Sequence, residues 1–103
     1  MTKVCHMTSA HAPGDVRIFQ KECVSLAQAG YHVYLVQRGD SGESQGVHIV
    51  GVGYPSGGRI ARMTSFARKV YEAAYSVDAD IYHLHDPELL PYGLKLSKKG
   101  KKV

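Results

Sequence analysis

The chain has 103 residues, 44% of them apolar, 13 basic and 9 acidic, with a net charge of +4. That length allows one small domain, which can bury roughly 65% of its unfolded surface and so sits near the lower limit for folding alone. No run approaches the roughly 20 apolar residues of a membrane span, and Met1-Thr2-Lys3-Val4-Cys5-His6 lacks the apolar stretch of a secretory signal, so a cytoplasmic setting is expected.

Lys3 to Thr8 reads as a first strand, short and nearly continuously apolar as in parallel sheets buried on both faces. Ser9 to Asp15 is a turn-rich loop around Pro13 and Gly14. Asp15 suits the N-cap of a helix in which Val16, Phe19, Cys23, Leu26 and Ala27 recur at helical spacing and Gly30 supplies the stop. His32 to Gln37 is a second strand, Arg38 to Gly46 a polar loop with three glycines, and Val47 to Val52 a third strand. Tyr54 to Gly58 breaks the chain. Ile60, Met63, Ala67, Val70, Ala74 and Val77 then form an apolar helical stripe. Asp80 to Leu84 is a fourth strand, Pro87 opens a third helix running towards Gly100, and Lys101-Lys102-Val103 begins a fifth strand.

Helices separate all the strands except the second and third, which predicts an α/β fold with a mainly parallel sheet, and right-handed crossovers give the strand order 3-2-1-4-5. Cys5 and Cys23 fall in a strand and on a helix face, as free thiols acting as small apolar side chains. Arg59, Arg62, Arg68 and Lys69 on the second helix, and Lys95, Lys98, Lys99, Lys101 and Lys102 at the end, form basic clusters. These suit an anionic surface or a merely solvated face equally. The tyrosines are scattered, so no stacking platform for single-stranded nucleic acid is expected.

In an open parallel sheet, ligands sit beyond the carboxyl ends of the strands where the strand order reverses, here between the first and fourth strands. Two loops meet there. The first carries His11, Gly14 and Asp15 into a helix N-terminus that favours an anion, with Arg17 able to grip phosphate or carboxylate. Asp15 as a plain cap and Arg17 as a surface ion-pair partner explain the same residues. The second is His83-Leu84-His85-Asp86-Pro87-Glu88, with two imidazoles on one strand face. His83 is expected in the core, and His85 at the strand end, donating into the crevice. Asp86 fits a helix cap or a catalytic role, and Glu88 suits the helix dipole. Gly51-Val52-Gly53-Tyr54-Pro55-Ser56-Gly57 fails the dinucleotide fingerprint, and no P-loop occurs.

His6-Met7-Thr8-Ser9-Ala10-His11, Asp15-Val16-Arg17-Ile18-Phe19, Lys21-Glu22-Cys23, Leu26 to Tyr31 and above all Asp80 to Pro91 resemble the start of family 4 glycosyltransferases of bacterial surface-polysaccharide synthesis. The resemblance spans essentially the whole chain and implies a GT-B architecture of two Rossmann-like domains, this one facing the acceptor and the other holding a nucleotide-sugar donor. It implies a retaining reaction with no bound metal or other cofactor. Gly14, Asp15 and Arg17 would lie near the donor diphosphate and acceptor, and His85 would contact the transferred sugar. Partners would be the sugar donor and a saccharide or lipid-linked acceptor, with peripheral contact at the inner face of the membrane and no nucleic acid. Full members are several times longer. The expectation is therefore an incomplete first domain, ending in its fifth strand, that transfers no sugar by itself and self-associates through an exposed sheet edge.

Two rival classes remain. His83-x-His85-Asp86 partly echoes the H-x-H-x-D-H pattern of metallo-β-lactamase-like hydrolases, with His6 and His11 as further ligands, although Asp86 stands one position early. A non-enzymatic module docking on anionic surfaces is the other.

Overall fold

The computed structural model describes residues 2–8, 17–54, 58, 62–86 and 89–103, with the side chains of residues 17–20 and 62–63 excepted. Five strands, β1 (Lys3–Met7), β2 (His32–Gln37), β3 (Gly42–Ser44), β4 (Val47–Gly51) and β5 (Ile81–Leu84), form one sheet in the order β3-β4-β2-β1-β5. All pairs are parallel except β3 with β4. The predicted order of the four main strands therefore holds, and Lys102 forms a parallel bridge to Ile81 beyond β5, where a fifth was expected to begin.

Among the described residues, three helices cover the sheet. Helix α1 comprises Arg17–Val24, wound in wide turns of the i→i+5 type, and Ser25–Gln28 in ordinary α geometry. Helix α2 likewise opens with a wide-turn segment, Arg62–Phe66, and continues as Ala67–Val77. Helix α3 is Leu90–Lys98. Alternation along the strands sends residues to two faces. On one face Val33, Leu35 and Val47 meet Cys23 and Val24 of α1. On the other, Cys5, Met7, Val36 and Tyr82 meet Phe66, Ala67, Val70 and Ala74 of α2 and Leu89 and Leu96 near and on α3. Both cysteines are free and buried, as expected. Burial raises both thiol pKa values, that of Cys23 to about 12.

The expected loop from Arg38 to Gly46 contains β3, an addition to the predicted fold. Gln45 and Gly46 both have positive φ, 51° and 83°, the backbone of a tight hairpin turn whose twist matches its strands. The chain leaving β2 crosses the carboxyl end of β4 to reach that edge. Gly39 and Gly53 exchange backbone hydrogen bonds of 2.7 and 3.0 Å at the crossing. A Cβ on Gly51 would stand 2.3 Å from the Gly39 carbonyl oxygen. The glycines of Gly51-Val52-Gly53 thus serve a backbone crossing, in keeping with their failure as a nucleotide motif.

Tyr82 ties β5 to α2 at a buried joint. Its hydroxyl accepts from the Ala79 N–H at 3.0 Å and donates to the Ala74 carbonyl at 3.0 Å. Asp78, in left-handed conformation (φ 54°), ends α2 and pairs with Lys101.

Candidate functional site

The strand order reverses between β1 and β5: the chain leaves β1 towards β2 on one side and reaches β5 on the other. The carboxyl ends of these two strands are joined side by side. The His85 N–H donates to the Met7 carbonyl at 3.0 Å, and the Thr8 hydroxyl donates to Asp86 Oδ2 at 2.8 Å. Thr8 and Asp86 are 1% and 6% exposed, so this is a buried, charge-assisted bond. Of the site residues expected from sequence, His85 and Asp86 meet at this rim. His11, Gly14 and Asp15 lie outside the described residues, as do Pro87, Glu88 and the side chain of Arg17.

Next to the joint stands a cluster of three imidazoles. Parallel pairing sets His6 opposite His83, and alternation puts His85 on the same face. Ring centroids lie 4.4 Å apart for His83 and His85, 5.0 Å for His6 and His83, and 5.1 Å for His6 and His85. His6 Nδ1 and His85 Nε2 share a hydrogen bond of 2.9 Å. Glu22, arriving from α1, places one carboxylate oxygen 3.8 Å from His83 Nδ1 and the other 3.8 Å from His85 Nδ1. Burial first, and then the neighbouring His85 and His83, lower the pKa of His6 to about 3, so it stands as a neutral imidazole.

Two expectations need correcting. His83 is not a core histidine: its side chain is 51% exposed at the margin of the sheet, with Glu22 of α1 beside it at 3.8 Å. His85 does not reach out from the strand end; its side chain is 6% exposed and leans on His6. The buried member is His6 of β1, 1% exposed, which the hydrolase-like pattern offers only as a further ligand. A groove of about 540 Å³ runs from this cluster along the sheet, lined by Val4, His6, Leu26, Tyr31, Ile81 and His83 among others.

The tyrosines are less scattered than their spacing suggests. Tyr71 stacks on Tyr92 at 4.9 Å between α2 and α3 and on Tyr75 at 6.1 Å. Lys95 lies over Tyr92 and Tyr71, and Lys99 over Tyr75. Several of the basic residues are therefore held on aromatic rings by cation–π contact. Among the described residues, no helix is long and apolar enough to cross a membrane.

Comparison of the chain with models of protein families, with curated proteins and with solved structures yields no match.

Proposed function

We propose that this chain is the acceptor-side, Rossmann-like domain of a GT-B glycosyltransferase that moves a sugar from a nucleotide-sugar donor to a saccharide or lipid-linked acceptor. The observation that carries the reading is the junction of β1 and β5 at the reversal of strand order, where the Thr8–Asp86 bond joins the two strand ends that lead, in sequence, into the two polar loops. The sequence resemblance, concentrated in Asp80 to Pro91, supports the same rim.

Sugar transfer requires stabilisation of a departing diphosphate and of a ring with oxocarbenium character. For the first, the sequence offers His11, Gly14 and Asp15 just ahead of Arg17 and its helix, and a helix N-terminus suits an anion through preorganised dipoles. For the second, His85 turns its Nδ1 towards Glu22 at 3.8 Å. That gap is too long for a direct hydrogen bond, and a sugar hydroxyl seated about 2.8 Å from each group would bridge them. His85 then orients the ring, and Asp86 fixes the loop that carries it. The basic residues of α2 and α3 suit a peripheral approach to an anionic membrane bearing a lipid-linked acceptor.

The test is a titration of isotope-labelled protein with uridine- and guanosine-diphosphate sugars and with oligosaccharide acceptors, followed by backbone amide shifts. Saturable shifts centred on Thr8, His85 and Asp86, and abolished by His85→Ala, are expected. Shifts confined to the α2–α3 face, or none with any ligand, would refute the assignment.

A further inference from the structure

Four side chains cluster beside the rim, and two of them, His6 and His83, have no part in the sugar contact proposed above. His6, Glu22, His83 and His85 each offer one nitrogen or oxygen donor, and these donors all lie within 4.8 Å of one another. Bonds of about 2.0–2.1 Å to a tetrahedral ion put ligand atoms about 3.3 Å apart. The separations of 2.9 Å between His6 Nδ1 and His85 Nε2 and 3.8 Å between Glu22 and His83 fall on either side of that value. His83 and Glu22, at 51% and 31% exposure, have room to rotate towards a shared ion.

His6 is the buried member of the set. It is 1% exposed, yet its Nε2 has no hydrogen-bond partner among the described residues. A buried imidazole usually has its polar atoms satisfied, and an apolar side chain would fill a strand interior at lower cost. Its one hydrogen bond, between Nδ1 and His85 Nε2, joins two nitrogens that an ion could take instead. His48 and Glu43 show the ordinary alternative, an exposed pair at 2.9 Å with no third ligand.

We infer that His6, His83, His85 and Glu22 hold one divalent transition-metal ion, with Zn²⁺ as the fitting occupant, and that the ion staples helix α1 to the β1–β5 margin of the sheet. Three imidazoles and one carboxylate form a nitrogen-rich set that selects Zn²⁺, Co²⁺ or Cu²⁺ over Mg²⁺ and Ca²⁺. Four protein ligands fill a tetrahedral shell, which marks a structural rather than a catalytic ion. The groove lined by His6 and His83 gives the ion its way in. Asp86 has no place in this set, so the ligands differ from those of the hydrolase pattern that His83-x-His85-Asp86 suggested. His85 and Glu22 serve in the transferase reading as well, but zinc binding is measured without any sugar, so the failure of one reading is distinguishable from the failure of the other.

The experiment uses untagged, chelator-stripped protein titrated with zinc sulfate by calorimetry, with cobalt as a spectroscopic probe. Saturable binding of one ion per chain, a tetrahedral Co²⁺ absorption band and no competition from Mg²⁺ are expected. At free zinc about 100-fold above Kd, the melting temperature should rise by roughly 10 °C. His83→Ala and Glu22→Gln, both at partly exposed positions, should each weaken binding more than about tenfold, and His48→Ala should leave it unchanged. No saturable binding, binding that survives both site variants, or equal weakening by His48→Ala would overturn the inference. If His83→Ala fails to fold, Glu22→Gln decides.

Discussion

Replacing Thr8 with valine removes one hydroxyl from the joint between β1 and β5 and leaves the side-chain shape nearly unchanged. That hydroxyl donates to Asp86 Oδ2 at 2.8 Å, between residues 1% and 6% exposed. A hydrogen bond to a charged acceptor contributes about 1.5–3 kcal/mol, and losing it leaves a carboxylate oxygen short of a donor in a place water scarcely reaches. We expect Thr8→Val to destabilise the fold by about 2 kcal/mol, which for a chain of this length lowers the melting temperature by roughly 10 °C. Both residues have other interactions, so urea unfolding of Thr8→Val, Asp86→Ala and the double variant is needed to isolate the pair. A coupling energy above about 1 kcal/mol is expected. Hydrogen exchange at the His85 amide, which donates to Met7 across the same joint, should accelerate in the single variants. A Thr8→Val protein within about 0.5 kcal/mol of the parent, or a coupling indistinguishable from zero, would refute the claim that this bond holds the rim together.

Tyr82→Phe should cost about 2 kcal/mol in urea unfolding, because it strands the Ala79 N–H and the Ala74 carbonyl that the hydroxyl serves; a neutral effect would mean those groups find other partners. Gly51→Ala drives a methyl group against the Gly39 and Asp40 backbone at 2.3 Å and should destabilise by about 3 kcal/mol, read from thermal melting. Cys5 and Cys23, buried and with raised thiol pKa values, should resist a chromogenic disulfide reagent at mildly alkaline pH in the folded protein and react in denaturant. Rapid labelling of the native chain would contradict their burial.

The main strands and helices are legible in the sequence because apolar periodicity and turn residues agree along most of the chain. Val47 to Gly51 and Ile81 to Leu84 lie within one residue of their expected limits. β3 escaped for two physical reasons. Three residues are too few to show alternation, and its hairpin puts Gln45 at a positive-φ position where asparagine or aspartate gives the usual signal. The rim was legible from topology, and its location between β1 and β5 follows from strand order alone. The histidine cluster was only half legible. That His83 and His85 share a face comes from the period of two, whereas the approach of His6 depends on a parallel register that no local pattern encodes. Glu22 was harder still. Its helix begins in wide turns, which rotate successive side chains by less than an α-helix does, so Val24, outside the expected stripe, is buried with Cys23. The tyrosine seam was missed because Tyr71 and Tyr92 sit on different helices and meet only after both dock.

The two margins of the sheet are unlike each other. On one side β3 is three residues long and carries Glu43, a stub that offers little to an incoming chain. On the other, Lys102 bridges Ile81 in parallel on the outer side of β5. One flank is thus joined to the sheet by a two-residue turn and the other by a connection that runs through α3, so the first can form as soon as its hairpin closes, whereas the second must wait for a helix to dock.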